Sequence, residues 1–376
     1  MKSKMLRAIG YAVLAAAIGG CAGAPVTRRV EEDVRLELIE WARLAQSAHN
    51  FQTWRVELDA AREDTLHLFL DGSRMLPETD PPARQITMSA GTFLAVVEAR
   101  AAQLGYRTAV DLLPQGEFTL DDPGGVPVAS VRVERSQAPA TTLAMAADAD
   151  AITRPTVKYR YEPAVIDGEL AARIEGYSRP GIRFTVIDEP DAVAWLNQLS
   201  IDAFTIEMTN EPTLLESFEA TRQNGSQRRR DPYGLSYSAN FPGRSLWFID
   251  IGLTLAPQRD AQRWGETGIG LFTEAMEQIE SYVMVVSDNN DRRTQLETGM
   301  LLQAAWMELH AAGLVALPNS QALQEYAAMA EPYRQIHARY AAQGGTVQML
   351  LAVAEPRGGR HRFSPRFPAG DLVAGN

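Results

Sequence analysis

Apolar positions recur at near-helical spacing from 30 to 48, through Leu36, Ile39, Leu44 and several alanines, with Trp41 on the flank. The period then changes to two. Trp54-Arg55-Val56-Glu57-Leu58 alternates as a half-buried strand, and Leu66, Leu68 and Leu70 repeat the pattern. Asp64 and Asp71-Gly72 read as turns, so the two runs are expected to form a hairpin-like pair. A helix is predicted from Asp80-Pro81, with proline in its first turn, to about Gly105. Gly91 interrupts its interior at a cost of about 1 kcal/mol relative to alanine, which is expected where another element comes close. Strands are predicted at 106–113 and 128–133.

From 137 to 150 the chain is rich in alanine and small polar residues and reads as a crossover between two halves. Beyond it, strands are predicted at 183–187, 282–287 and 347–353, and one or two amphipathic helices across 190–222. A helix over 294–312 is closed by Gly313. The segment 224–243 is a long polar loop with two open readings, a lid or a surface insertion.

Composition narrows the classes. The 376 residues are 45% apolar, enough for one large domain or two. A formal net charge of −11 argues against nucleic acid as a partner, because phosphate backbones require a basic surface. One cysteine excludes an intramolecular disulfide and a multi-cysteine zinc site. The five histidines show no His-Glu-x-x-His pattern, so no metal site is expected. No Gly-x-Ser-x-Gly run marks a hydrolase.

The first residues read as a targeting segment. Lys2, Lys4 and Arg7 precede an apolar run, Ala8 to Ile18, that is too short to span a bilayer as a mature helix. It ends in Ile18-Gly19-Gly20-Cys21, which resembles a bacterial lipobox. Cleavage before Cys21 would leave its thiol free to carry acyl chains. An ordinary signal peptide with an incidental cysteine is the other reading. The resemblance implies a lipid-anchored protein on the periplasmic side of the cell envelope, with outer-membrane sorting plausible because Ala22 follows the cysteine.

Four short motifs carry candidate chemistry. The first is Ala45-Gln46-Ser47-Ala48-His49-Asn50-Phe51-Gln52-Thr53-Trp54, where polar side chains that serve badly in a helix interior cluster between a helix and a strand. It reads either as a polar connection or as a ligand-binding loop. The second is Arg154-Pro155-Thr156-Val157-Lys158. An extended backbone points Arg154, Thr156 and Lys158 the same way, offering a fork, a hydroxyl and a point charge to a phosphate. A solvated basic strand is the alternative. The third is the helix carrying Gly299, Gln303 and a closing Gly313-Leu314, followed by Leu317-Pro318-Asn319-Ser320-Gln321. The fourth is Arg366-Phe367-Pro368 near the end, in a basic, proline-punctuated tail that is either packed or disordered.

In this order the motifs resemble those of the FMN-binding nitroreductase family, and most closely its single-chain Acg-like branch, over most of residues 33 to 368. Ser47, His49, Asn50, Gln52 and Trp54 fit the flavin loop in register, while Gln46 and Thr53 stand where the branch has prolines. Their loss is expected to loosen the loop. Pro155 replaces a second arginine of the phosphate motif. The segment Asp71-Gly72-Ser73-Arg74 through Asp80-Pro81-Pro82-Ala83-Arg84 also matches the branch, and Arg74, Asp80 and Arg84 read as structural.

The resemblance implies an α+β fold of nitroreductase type, with mixed and antiparallel sheets wrapped by helices and two half-domains forming an intrachain pseudo-dimer. It divides the chain into a leader and lipobox (1–21), a linker (22–32), an N-terminal half (33–140) and a C-terminal half (141–376) carrying most of the flavin site. It implies FMN as cofactor, with Arg154, Thr156, Lys158 and Arg366 on the phosphate, Ser47 and Asn50 on the ribityl chain or ring edge, Gln52 among the cofactor-binding residues of the same loop, and Asn319 and Ser320 beside N5. No protein nucleophile is needed, because the flavin carries the chemistry. The implied partners are a small-molecule electron donor and an acceptor such as a quinone or nitroaromatic, and the bilayer through acylated Cys21. The chain is expected as a monomer with a pseudo-dimer fold or as a homodimer. A non-catalytic, flavin-sequestering lipoprotein or a scaffold without cofactor is the other functional class.

Overall fold

The computed structural model describes residues 33–136, 156, 160–237, 241, 243–357 and 364–374. The crossover 137–150, Cys21, Arg154 and Lys158 lie outside the described residues. The region Asp33–Asn376 forms one compact unit.

Its first part holds helix α1 (Val34–Ala42), strands β1 (Trp54–Leu58) and β2 (Thr65–Leu70), helix α2 (Arg84–Gln103), and strands β3 (Tyr106–Leu112) and β4 (Ala129–Arg135). The four strands form an antiparallel sheet in the order β1-β2-β4-β3. The expected hairpin is present, with Trp54 opposite Leu70 and Leu58 opposite Leu66. The second part contains β5 (Tyr161–Glu162), α3 (Gly168–Glu175), β6 (Ile182–Ile187), α4 (Pro190–Thr209), α5 (Glu211–Glu219), β7 (Thr221–Arg222), α6 (Gly225–Arg230) and β8 (Leu235–Ser236). There follow α7 (Gly243–Leu255), α8 (Ala261–Met276), β9 (Ser281–Ser287), α9 (Arg292–Ala311), β10 (Val315–Pro318), α10 (Ala330–Tyr340), β11 (Thr346–Pro356) and α11 (Ala369–Leu372). Its main sheet runs β10-β11-β9-β6, also antiparallel, with β5 added on β11. The fold is therefore α+β, with antiparallel sheets wrapped by helices.

Three predicted boundaries move, each for a local reason. Helix α1 stops at Ala42 instead of reaching 48, because Leu44 and Ala45 donate three residues back, to Trp41 and Ala42, which tightens and ends the turn. Helix α2 starts at Arg84, not Asp80. Pro82 disfavours a helical conformation at Pro81, and Ala83 is left-handed at φ 54°. The Asp80 carboxylate then receives the Ile86 N–H at 2.9 Å. The segment 224–243 is not all loop, since Asn224 caps α6 by accepting from the Ser226 and Gln227 N–H groups.

Helices α2 and α9 cross at the centre, and the approach explains both interior glycines. A Cβ at Gly91 would lie 2.1 Å from the Leu296 carbonyl oxygen, and one at Gly299 would lie 2.0 Å from that of Met88. Each glycine faces the backbone three residues before the other, the reciprocity a local two-fold axis produces. Gly91 was expected to admit a neighbour, and α9 is that neighbour. Leu296 and Met307 join the apolar cluster of the first sheet, while Met88 joins a cluster of the second. Arg84 ties the parts further. Almost fully buried, it donates to the Leu323 and Gln348 carbonyls at 2.8 and 2.6 Å and pairs with Glu325 at 3.1 Å.

Candidate functional site

The polar loop between α1 and β1 is held from beneath by α2 and α9. Ser89 accepts from the Ala48 N–H at 2.9 Å through its hydroxyl and from the Trp54 indole at 3.0 Å through its carbonyl. Trp54 is fully buried against Phe93. The Gln46 N–H donates to Gln303 Oε1 at 3.1 Å, and the Gln46 carbonyl accepts from the Thr92 hydroxyl. Proline at 46 could not make the first of these bonds. The Thr53 hydroxyl likewise donates to the Arg74 carbonyl at 3.0 Å. Hydrogen bonds thus hold the loop where ring constraints were missing.

Inside the loop three non-glycine residues are left-handed: His49 at φ 46°, Asn50 at 57° and Gln52 at 48°. Such backbone costs about 1–3 kcal/mol per residue and persists where surrounding contacts enforce it. The contacts are visible. The Gln52 N–H donates to the Ser47 hydroxyl at 2.8 Å, which closes the loop on itself. The Gln52 carbonyl receives Arg74 at 2.9 Å.

The side chains of Asn50 and Gln52 reach two distant segments. Asn50 Nδ2 donates to the Gly234 and Pro365 carbonyls, both at 3.0 Å. Gln52 Nε2 donates to the Pro232 carbonyl at 2.8 Å and to that of Pro365 at 3.2 Å, and its Oε1 accepts the Phe367 N–H at 2.9 Å. The Gly234 N–H returns a bond to the Asn50 carbonyl at 2.9 Å. Only glycine suits position 234, where φ is 88° and a Cβ would lie 2.3 Å from the Ala220 carbonyl oxygen. Tyr233 stacks on Phe367, and Phe51 meets Tyr233 edge-on. Residues Pro232, Tyr233 and Gly234 of this segment therefore pack on the loop.

Arg366 completes the cluster. Its guanidinium donates to Asn50 Oδ1 and to the Ala45 carbonyl, the latter at 3.3 Å. Its Nε is covered and has no acceptor, although part of the side chain remains open. Burial, and then the neighbouring Arg43, push the Arg366 pKa down to about 10. Among the described residues no carboxylate offsets this. The Arg43 charge is directed to Glu40, its NH1 donates to the Phe367 carbonyl at 3.4 Å, and its Nε is also covered and unanswered. A guanidinium held by carbonyl and amide oxygens, with an N–H still unanswered and a second cation nearby, is suited to an anion such as phosphate.

The structure thus brings Ser47, Asn50, Gln52 and Arg366 together. Thr156 joins them through its hydroxyl, which donates to Gln46 Oε1 at 3.3 Å. Asn319 and Ser320 lie in the other part, at the end of β10. The Asn319 N–H donates to the Leu350 carbonyl at 2.8 Å, and its buried amide group contacts Ser200, Met276 and Tyr282. Among the described residues no hydrogen bond links Asn319 or Ser320 to the loop or to Arg366. Arg74, Asp80 and Arg84 serve the structure: Arg74 braces the loop carbonyls, Asp80 receives the first turn of α2, and Arg84 joins the two parts. Sequence reasoning missed Arg43, Pro232, Gly234 and Pro365. Three of these act through backbone groups, which carry no side-chain signature.

No family model and no curated protein sequence matches the chain. Among solved structures, a nitroreductase with bound FMN from Desulfitobacterium hafniense DCB-2 is 12% identical, over 57% of this chain and 92% of that one, at a TM-score of 0.33. The FMN- and NADPH-dependent nitroreductase NfnB from sphigopyxis sp. strain HMH is 15% identical, over 61% and 98%, at 0.38. The FMN-dependent NfnB from Mycobacterium smegmatis, in complex with NADPH, is 13% identical, over 57% and 89%, at 0.34. All three scores lie below 0.5.

Proposed function

We propose that this chain is an FMN-dependent oxidoreductase of nitroreductase type, anchored at the cell envelope through Cys21. The observation that carries the reading is the Arg366 guanidinium: crowded by protein, fixed on Asn50, without a carboxylate among the described residues, and with its Nε unanswered. A phosphate monoester would supply the missing acceptors. Arg366 and Thr156 would hold that phosphate, joined by Arg154 and Lys158 from the motif around Thr156. Asn50 and Gln52 fix the wall of the proposed site by drawing the Pro232–Gly234 and Pro365–Phe367 segments onto the loop, where the half-buried Phe51, Tyr233 and Phe367 rings pack on one another. When bound, the flavin supplies hydride transfer at N5 between a donor and an acceptor such as a quinone or nitroaromatic. The reciprocal packing of Gly91 and Gly299 supports an intrachain pseudo-dimer, so one chain would suffice for one site.

A second reading has its own support. Ser47, Asn50 and Gln52 spend their side-chain hydrogen bonds on the protein, as a loop that only maintains a scaffold would. The test is the visible spectrum of the chain starting at Ala22, purified with added FMN. A flavin spectrum that a donor bleaches and a quinone restores supports the oxidoreductase. A yellow protein silent to donors supports sequestration. A folded, colourless protein sinks both flavin readings.

A further inference from the structure

Helix α7 turns its apolar side outward. Trp247, Phe248, Ile251 and Leu255 are 53%, 66%, 40% and 81% exposed, while Leu246 points inward at 2%. At 100° per residue the four exposed positions span an arc of about 100°, a continuous stripe on one face. The acidic side chain within α7, Asp250, is neutralised by Arg228 at 2.5 Å. Exposed arginines lie close in the chain: Arg229 and Arg230 on α6, which meets α7 through Arg228, with Arg230 paired to Asp231 at 2.9 Å, and Arg259 just beyond α7.

We propose that this stripe is a membrane-surface contact, lying in the headgroup region of the bilayer to which Cys21 would tether the chain. Three observations select a bilayer over a second copy. A 13-residue helix is about 20 Å long, so one stripe offers about 200 Å², well short of the roughly 800 Å² per partner of a stable dimer. The composition is that of an interfacial helix, with tryptophan and phenylalanine among aliphatic residues and arginines close in the chain for lipid phosphates. The third rests on the proposed anchor: with Cys21 acylated, the 12 residues from Ala22 to Asp33, which reach at most about 40 Å, would confine the folded unit near the surface and make even weak contact effectively intramolecular. Among the described residues no helix is long and apolar enough to cross a membrane, so the contact is along the surface.

The chain from Ala22 retains the compact unit and all three apolar clusters, so it can be tested without its anchor. The probe is vesicles of phosphatidylethanolamine and phosphatidylglycerol, read by co-sedimentation and by quenching of tryptophan with brominated lipids. The wild type is expected to bind. Phe248→Ser combined with Leu255→Ser is expected to lower partitioning about tenfold or more. Brominated lipid is expected to quench the wild type and to leave Trp247→Tyr largely unquenched, which keeps the test decisive if the double variant misfolds. Equal partitioning of wild type and double variant overturns the proposal, as does equal quenching of wild type and Trp247→Tyr. A wild-type dimer in sedimentation velocity that the double variant dissolves, with no vesicle binding, assigns the stripe to a second copy instead. Flavin absorbance in the same samples reports the other site independently, so either reading can fail alone.

Discussion

Replacing Gly299 by alanine tests the central crossing. The new Cβ would lie 2.0 Å from the Met88 carbonyl oxygen and 2.8 Å from its carbon. An unstrained carbon–oxygen contact needs about 3.3 Å, so α2 and α9 must part by about 1.3 Å. Both obstructing atoms are backbone, so no rotamer change relieves them. Overpacking of this kind costs about 3 kcal/mol, the upper end of its range. Alanine returns about 1 kcal/mol of helix propensity. The net loss is about 2 kcal/mol. For a chain of this size that lowers the urea midpoint by about 0.5–1 M in circular dichroism. Gly91→Ala meets Leu296 at 2.1 Å and is expected to cost the same. The double variant should cost less than the sum, because one separation relieves both clashes. Gly270→Ala is the control: nothing lies within 4 Å of its Cβ, and stability should rise by up to about 1 kcal/mol. If Gly299→Ala behaves like Gly270→Ala, the close-packed crossing is refuted. The same separation would carry Gln303, one turn further along α9, away from Gln46, so flavin retention should fall in parallel.

Further outcomes test the site and its surroundings. Arg366→Ala is expected to weaken FMN binding about tenfold or more, and Arg366→Lys by less. Inorganic phosphate should raise the Tm of the flavin-free wild type but not of Arg366→Ala, and an equal rise in both would remove Arg366 from the anion site. Ser47→Ala leaves the buried Gln52 N–H without its acceptor and should cost about 1–3 kcal/mol, with faster proteolysis near the loop; an unchanged Tm and cleavage rate would show that the closure is not needed. Asp80 governs an acid-range effect. Burial raises its pKa from 3.8 to about 6, against the opposing pull of Arg84. Between these values the folded chain holds a proton that the unfolded chain has lost, so stability falls as pH rises from about 4 to 6, by about 3 kcal/mol in all. Asp80→Asn should remove that slope, and identical pH profiles for the two proteins would contradict it.

Much of this protein was legible in local pattern. Period-two alternation located β1 and β2, a continuous apolar run located the fully buried β9, and helical spacing with a glycine stop located α9, because these patterns are set along a single segment. Gly91 announced a close neighbour without naming it. Asn50, Gln52 and Arg366 were expected as site residues only through the resemblance to the nitroreductase motifs, and the structure brings these three side chains together. Boundaries were less legible where several weak local terms compete, as at Pro81-Pro82-Ala83 before α2.

By itself, the sequence located α1, α2, α4, α5 and α9 and strands β1 to β4, β6, β9 and β11, and showed that the chain lacks the cysteines for a disulfide; α3, α7, α8 and α10 it did not announce. Tertiary structure decided the rest. It set three loop residues in left-handed backbone, gave Asn50 and Gln52 carbonyl partners about 180 and 315 positions away, left Arg366 without a carboxylate among the described residues, and turned the apolar stripe of α7 outward. Backbone carbonyls are the same at every residue, and a helical pattern does not say which of its faces the rest of the chain will cover. Those choices depend on contacts between segments far apart in sequence, where no local periodicity reaches.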